Sequence, residues 1–290
     1  MGRGMTAAPR SVHHADFPVA RLRDERAASI AVCVPARECA PTIGHVSAEL
    51  VALREAGAID RVVVLDAHSA DGTGDIARRA GAEVVQQAEL VPGLGPVEGK
   101  GDAMWRALAI LSEDVVCFVD GDTHGFGRHF ALGLAGAVAC TEGIQFAKGF
   151  FRRPFRAGDV VLPEGGGRVT ELLARPLLRA WWPELAAVHQ PLAGEIAARR
   201  ELLERLPFVT GYGVEMAMLL DVWREVGGAG IAQVDLEERQ NEHQPLRALA
   251  PMADAVLHAA LSRLALEGRP AGGAAPAVLE RPPVAAARVA

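Results

Sequence analysis

Apolar runs alternate with helical patterns along the first half of the chain. Continuous apolar stretches predict strands at 29–36, 61–66, 83–85 and 115–119. Between these strands, the spacing of the apolar residues predicts helices at 42–57, 75–82 and 102–114. Strands without polar alternation are buried on both faces, which is typical of a parallel sheet covered by helices. The pattern therefore predicts an α/β fold.

The second half of the chain has a different pattern and shows no internal repeat. We predict a strand at 144–155, a helix with a glycine-rich entrance at 165–185, a glycine-capped helix at 211–228, and a strand that runs into a polar loop at 231–246. Both ends of the chain lack this order. We predict a flexible N-terminal arm over 1–27, one domain over 28–265 and an Ala/Pro/Gly-rich tail over 266–290.

Three of the predicted strands end in polar residues. These endings are Pro35-Ala36-Arg37-Glu38, Asp66-Ala67-His68-Ser69 and Asp120-Gly121-Asp122. In open parallel sheets, ligands bind beyond the carboxyl ends of the strands. The three endings are therefore expected to converge on one rim of the sheet, where a ligand binds.

Composition excludes some classes of function. The 290-residue chain is 50% hydrophobic and carries a net charge of −6 without a long basic block, so we expect no nucleic-acid partner. No run of about 18 apolar residues is present, and the first 30 residues show no export signal. The four cysteines form no CxxC pair. These features predict a cytoplasmic protein without a membrane partner.

The Asp120-Gly121-Asp122 segment has the chemistry of a metal site. Two carboxylates at i and i+2 lie on the same side of an extended chain, and the intervening glycine allows close approach of a ligand. Hard cations such as Mg²⁺ bind one or two carboxylates together with the phosphates of a substrate. An ordinary acidic turn is the alternative on this motif alone.

Five further segments are candidates for ligand binding. Asp66 and Ser69 either contact a nucleotide or only stabilise a turn. Lys100 lies between glycines ahead of a helix and can neutralise a phosphate, although the spacing does not match a P-loop. The remaining candidates are an anion nest with Arg168 and Thr170, a sugar contact or base at Tyr212 and Glu215, and Asn241 with His243 in the polar loop.

Taken in order, these motifs resemble one enzyme family. The matching segments are Pro35-Ala36, Asp66-x-x-Ser69-x-Asp71-x-Thr73, Gly99-Lys100-Gly101, Asp120-x-Asp122, Gly165 to Glu171, Gln190-Pro191-Leu192-x-Gly194-Glu195 and Gly211 to Glu215. Over about residues 28–265 the chain is similar to the actinobacterial glucosyl-3-phosphoglycerate synthases, which are retaining glycosyltransferases of GT-A fold. The resemblance implies a mixed, mainly parallel sheet, with a Rossmann-like nucleotide-sugar half over 28–125 and an acceptor half over 126–265.

The resemblance also implies a reaction and its site. Glucose, or a related sugar, would pass from UDP-glucose or a similar donor to the 2-hydroxyl of 3-phosphoglycerate, with Mg²⁺ or Mn²⁺ bound and the enzyme a homodimer. Catalytic roles fall on Asp122, Glu215 and the Leu192 carbonyl. Donor contacts fall on Pro35, Ala36, Glu38, Asp66, Ser69, Lys100, Asp120, Gly121 and Tyr212. Acceptor contacts fall on Gly167, Arg168, Val169, Thr170, Asn241 and His243.

The sequence departs from the family pattern at two places. Arg37-Glu38-Cys39 stands where the family has Leu-Asn-Glu, and Asn241-x-His243 stands where it has His-x-Asn. We expect Asp122 and His243 to bind the metal, with Asn241 as the alternative ligand. The departures keep two more functions open, a glycosyltransferase of a natural-product pathway with a different anionic acceptor and a catalytically silent nucleotide-sugar-binding protein. A nucleotidyltransferase is disfavoured because the first strand lacks its glycine-rich basic signature.

Overall fold

The four apolar runs predicted as strands in the first half of the chain form one half of an eight-stranded sheet in a computed structural model, which describes residues 7–157, 160–162, 166–239 and 245–269. The strands are β1 (Arg10–His13), β2 (Ile30–Ala36), β3 (Arg61–Asp66), β4 (Glu83–Gln86), β5 (Val115–Phe118), β6 (Phe146–Arg152), β7 (Phe155–Ala157), β8 (Val160–Leu162), β9 (Ile196–Arg199) and β10 (Ile231–Glu238). Strands β7 and β8 form a separate antiparallel pair.

The sheet is mixed and mainly parallel, as the family resemblance implies. Its strand order is β1-β10-β6-β9-β5-β2-β3-β4. Only β9 runs antiparallel to its neighbours, β5 and β6, among the described pairings of this sheet. Because β9 is reversed, the residues that precede it lie at the same rim as the carboxyl ends of β5 and β6.

Helices cover both faces of the sheet. They are α1 (Val19–Glu25), α2 (Ala40–Glu55), α3 (Thr73–Arg79), α4 (Lys100–Ala107), α5 (His129–Ala139), α6 (Arg175–Trp181), α7 (Arg200–Arg205), α8 (Val214–Val226) and α9 (Ala250–Leu266). Alternate residues of β2 enter different cores: Val32 packs with the core that includes α2 and α5, and Cys33 with the core that includes α8 and α9. Both faces of the strand are therefore buried, which explains its uninterrupted apolar sequence.

The N-terminal region differs from the sequence prediction. Instead of a flexible arm over 1–27, residues Arg10–His13 pair in parallel with β10, and α1 buries Leu22 completely. The pattern did not reveal β1 because an edge strand of four residues needs no continuous apolar run. At the other end, α9 ends at Leu266 where the tail was predicted to begin, and residues 270–290 lie outside the described part of the chain.

One helical segment among the described residues, Leu246–Leu266, has the length and apolar composition that could cross a membrane. In the fold, however, this segment supplies Val256, Ala260 and Leu264 to a buried core. It also carries Arg263, whose guanidinium donates to the buried carboxylate of Asp221 at 2.5 Å. These contacts place one side of the helix in the core of the domain.

Candidate active site

A cavity of about 1310 Å³ opens at the carboxyl ends of β2 and β5 and at the N-terminal ends of α4 and α8. Segments far apart in sequence meet around it. The predicted site residues in its wall are Pro35, Ala36, Glu38, Lys100, Asp120, Gly121, Asp122, Gly167, Arg168, Val169, Thr170, Leu192, Tyr212 and Glu215. The rim predicted from strand endings is thus a continuous surface, and the glycine-rich loop that was predicted to bind the acceptor lies in the same wall.

The loops after β2 and β3 are tied together by hydrogen bonds. The amide of Glu38 donates to the hydroxyl of Ser69 at 3.0 Å, and the Glu38 carboxylate accepts from the amide of Ala70 at 2.9 Å. Glu38 adopts a positive φ of 51°, which is uncommon for a residue other than glycine. The two loops therefore form one side of the cavity as a unit.

Two predicted donor residues, Asp66 and Ser69, do not line the cavity. Asp66 is buried at the end of β3, where it accepts from the amide of Ser69 at 3.2 Å and from the side chain of Gln86 at 2.9 Å. Both residues stabilise the turn behind the cavity wall in this structure, which is the second of the two roles that their sequence allowed.

Asp120 lies between two cations at the end of β5. It accepts from Lys100 Nζ at 2.6 Å and from Arg239 Nη2 at 3.0 Å. Burial alone would raise the pKa of Asp120, but Lys100 and Arg239 outweigh it and hold that pKa well below its usual range. The Gly121 carbonyl accepts from the hydroxyl of Thr42 at 2.7 Å, which fixes the turn between the two aspartates.

Asp122 differs from Asp120 in its surroundings. Its side chain is 66% exposed towards the cavity, and it accepts from Arg239 Nη2 at 3.2 Å. Burial of the rim and the negative charge of Asp120 raise the pKa of Asp122. A carboxylate crowded by negative charge and open to the cavity is suited to receive a cation.

Lys100 is the central cation of the rim. It begins α4 and contacts Glu215 Oε1 at 3.1 Å in addition to Asp120. Burial opposes the charge of Lys100, but the two carboxylates outweigh this effect and raise its pKa. Close packing requires glycine beside it, since a Cβ on Gly194 would lie 2.2 Å from Lys100 Nζ. The ammonium is therefore held charged in a fixed position.

Arg239 and Glu195 form a buried pair behind the two aspartates. Arg239 is 3% exposed, and its Nη1 donates to the carboxylate of Glu195, which is fully buried. Burial alone would lower the pKa of Arg239, but Glu195, Asp120 and Asp122 raise it instead. One arginine thus binds three carboxylates and holds the rim together.

A second buried lysine supports the segment that contains Leu192. Lys148 is 2% exposed, and its Nζ donates to the carbonyl of Ala193 at 2.7 Å. Burial lowers the pKa of Lys148 to about 8. The hydrogen bond fixes the backbone next to Leu192. Leu192 lines the same cavity as the residues of the rim.

Another part of the cavity wall is formed where the chain enters the helical segment that begins at Arg168. Gly167 has a positive φ of 74°, and Val169 and Thr170 are buried. A wider π-type turn follows over Thr170–Ala174 before α6. Such turns occur frequently at functional sites. An acceptor bound at this loop would face the donor rim across the cavity.

The comparison with known proteins identifies the family. No family model matches the sequence. Over 268 residues, the chain is 42% identical to glucosyl-3-phosphoglycerate synthase of Mycobacterium tuberculosis, covering 90% of this chain and 82% of that protein. It is 38% identical, with the same coverage, to glucosyl-3-phosphoglycerate synthase of Petrotoga mobilis. The chain belongs to the glucosyl-3-phosphoglycerate synthase family.

Solved structures of related enzymes have the same fold. Mannosyl-3-phosphoglycerate synthase from Rubrobacter xylanophilus matches with a TM-score of 0.83 and 44% identity, over 93% of this chain and 86% of that one. Glucosyl-3-phosphoglycerate synthase from Mycobacterium tuberculosis, solved with Mn²⁺, UDP-glucose and phosphoglyceric acid, matches with a TM-score of 0.81 and 40% identity, over 91% and 89% of the two chains. The predicted GT-A fold is confirmed, and this member of the family is a glycosyltransferase.

The carboxylate oxygens at the rim suit the metal found in structures of glucosyl-3-phosphoglycerate synthase. Structures of the Mycobacterium tuberculosis enzyme hold Mn²⁺ or Mg²⁺. Here Asp122 presents carboxylate oxygens to the cavity, and oxygen ligands suit both cations. The remaining predicted ligands, Asn241 and His243, lie outside the described residues. Asp122 is therefore the one predicted metal ligand whose position the described part of the chain gives.

Several charged residues lie at or beside the site in the structure but were given no role from the sequence. They are Arg239, Glu195, Lys148 and Arg153. Arg239 stands at the end of β10, and that position after a strand is the same signal that pointed to Asp120. No comparable signal marked Glu195, because β9 occupies only four residues and its direction is not visible from the sequence.

Proposed function

We propose that this chain transfers glucose from UDP-glucose to the 2-hydroxyl of 3-phosphoglycerate, with Mg²⁺ or Mn²⁺ bound and with retention of the anomeric configuration. The observation that carries the proposal is one cavity that Lys100, Asp120, Asp122 and Glu215 line together with the loop at Arg168. The relative from Mycobacterium tuberculosis binds this donor and phosphoglyceric acid.

Different residues of the rim bind different parts of the donor. Pro35, Ala36 and Glu38 form the wall for the nucleotide, while Tyr212 and Glu215 contact the glucose. Lys100 stabilises the negative charge that develops on the diphosphate as the bond to the sugar breaks. Asp122 would bind the metal together with His243 or Asn241, and when bound the cation supplies further charge stabilisation for the leaving group.

Retention follows from attack on the face of the sugar that the diphosphate leaves. Asp120 and Glu215 are both engaged by Lys100, which makes either carboxylate a poor covalent nucleophile. We therefore favour same-face attack by the acceptor hydroxyl, with the Leu192 carbonyl beside the anomeric carbon. Placement of the two substrates and charge stabilisation would supply most of the rate acceleration.

Incubation with UDP-glucose, Mg²⁺ and 3-phosphoglycerate tests the proposal directly. Mass spectrometry is expected to show a glucosylated product, and the anomeric proton coupling measured by NMR is expected to show the α configuration of the donor. A panel of different phosphorylated or carboxylated acceptors serves as the comparison. Donor binding without any product would indicate a nucleotide-sugar-binding protein, and preference for another anion would change the acceptor.

Mannose is a second candidate for the transferred sugar. The similarity to mannosyl-3-phosphoglycerate synthase, at 44% identity, favours testing it. Competition between nucleotide-glucose and nucleotide-mannose in one reaction would rank the two donors by their kcat/KM ratio.

Replacing Arg168 by alanine is expected to raise the acceptor KM about 10- to 100-fold, with much less effect on the donor KM. The expected loss corresponds to one hydrogen-bonded charge pair with the acceptor. Steady-state kinetics with each substrate varied in turn measures both constants. Arg179→Ala is the matched control, because Arg179 is exposed on α6 and does not line the cavity. Equal increases in both KM values for Arg168→Ala would contradict an acceptor role.

Two further properties are proposed from the family resemblance. We infer a homodimer in solution and a cytoplasmic location. Light scattering coupled to size-exclusion chromatography measures the oligomeric state, and fractionation of the producing cells measures the location.

A further inference from the structure

Arg153 is an arginine of the cavity wall that is not assigned a role by the family resemblance. It follows β6 directly and lines the cavity together with Asp122, Arg168 and Thr170. It also lines a smaller adjoining cavity of about 820 Å³. Arg153 therefore lines the cavity together with residues of the predicted donor site and of the predicted acceptor loop.

The surroundings of Arg153 contrast with those of Arg239. The guanidinium carbons of the two residues lie 4.8 Å and 5.4 Å from the centroid of the same buried ring, Phe151. Arg239 is neutralised by carboxylates on three sides. Among the described residues, no carboxylate lies within ion-pair distance of Arg153, whereas the buried Nε atoms of both arginines have no hydrogen-bond partner.

Arg153 thus lacks a directly paired carboxylate among the described residues. Burial and the positive charge of Arg239 lower the pKa of Arg153, and the more distant carboxylates of Glu195, Asp120 and Asp122 offset part of this effect. A cation removed from water is costly unless an anion compensates it. No carboxylate of the described residues pairs directly with the half-buried Arg153, so an anionic ligand entering the cavity would supply a direct partner.

The backbone of Arg153 is tied to the acceptor loop. Its carbonyl accepts from the amide of Gly166 at 3.1 Å. A Cβ on Gly166 would lie 2.5 Å from the Cβ of Arg153, so the loop approaches this closely only because residue 166 is glycine. Arg153 and the loop that begins at Gly166 therefore form one connected surface.

We infer that Arg153 binds the carboxylate of the acceptor, while the loop at Arg168 binds its phosphate. This inference rests on the proposed function. In 3-phosphoglycerate the carboxylate is attached to the carbon that bears the reacting hydroxyl, and the phosphate is one carbon farther away. Arg153 shares Phe151 with Arg239, and its charge interacts with Asp120 and Asp122, so it lies near the aspartates at which the donor is proposed to bind. A planar guanidinium also matches a carboxylate in two parallel hydrogen bonds.

A comparison of two acceptor ligands tests the assignment. Glycerol 3-phosphate has the phosphate of 3-phosphoglycerate but a hydroxymethyl group in place of the carboxylate. Arg153→Gln is expected to weaken binding of 3-phosphoglycerate about 10- to 100-fold and binding of glycerol 3-phosphate less than about threefold. Arg168→Ala is expected to weaken both. Titration calorimetry with UDP and Mg²⁺ present measures the four dissociation constants.

Two additional variants make the result specific to Arg153. Arg153→Lys keeps the charge but not the planar fork, so an intermediate loss for 3-phosphoglycerate is expected. Arg152→Gln is the matched control, since Arg152 is the exposed neighbour and does not line the larger cavity. The inference is overturned if Arg153→Gln weakens both ligands equally or weakens neither. A wild-type protein that fails to bind 3-phosphoglycerate would instead overturn the proposed acceptor, and the carboxylate assignment with it.

Discussion

Replacing Asp122 by alanine is expected to slow glucose transfer by about a thousandfold or more while the protein stays folded. A catalytic cation contributes several kcal/mol of charge stabilisation, and about 4 kcal/mol corresponds to roughly a thousandfold in rate. Because the Asp122 side chain is 66% exposed, its removal is expected to change stability by no more than about 0.5 kcal/mol. Turnover of UDP-glucose and a circular dichroism melt measure the two effects.

Asp75→Ala provides the matched control for this experiment. Asp75 is a 71% exposed aspartate on α3, and its ion-pair partner among the described residues is Arg78, one turn away on the same helix. Its loss should leave the transfer rate unchanged. Substantial activity of Asp122→Ala at saturating Mn²⁺ would refute the metal role. A large drop in its melting temperature would show that Asp122 acts in folding rather than in catalysis.

Replacing Arg239 by leucine is expected to destabilise the fold by about 3–5 kcal/mol. The guanidinium is 3% exposed, and its loss leaves the carboxylate of Glu195 fully buried without a compensating cation. Burial raises the pKa of Glu195 while Arg239 lowers it, so loss of the arginine is expected to raise that pKa further. The melting temperature, read by circular dichroism, is expected to fall by roughly 10 °C.

The double variant Arg239→Leu/Glu195→Gln separates charge from packing. It removes the uncompensated carboxylate, so it is expected to recover at least half of the lost stability. Arg78→Leu is the control for removing an arginine, because Arg78 is 50% exposed and is expected to cost about 0.5 kcal/mol or less. If the double variant melts no higher than Arg239→Leu, the buried charge of Glu195 is not the cause of the loss.

Much of the fold was predictable because buried parallel strands leave a simple sequence pattern. The central residues 30–34 of β2, 62–65 of β3 and 115–118 of β5 are apolar since both faces of each strand are covered. The missed elements lack such a pattern. Helix α5 is buried nearly all round, so its apolar residues show no helical period, and β9 is only four residues long.

The site was predictable to the extent that single strand endings reveal it. Asp120 and Asp122 follow an apolar strand directly, and Lys100 lies between glycines ahead of a helix. The neighbouring sequence was therefore enough to predict that these residues belong to the site. The position of Asp66 was less well determined. Its local sequence allows a nucleotide contact but favours a turn, and in this structure Asp66 is buried at the turn while its predicted donor contact stays a prediction.

By itself, the sequence determined the fold class, the two aspartates at a strand end and the family resemblance. Each of these depends on short segments of consecutive residues. Only the tertiary structure decided which charges neutralise one another. Glu195 reaches the rim because β9 runs antiparallel to β5 and β6, which places the residue before Ile196 next to the carboxyl ends of both neighbours. Arg239 arrives from β10, and Arg153 from the end of β6. Strand order and direction depend on packing across the whole sheet, and the sequence of a single strand does not specify them.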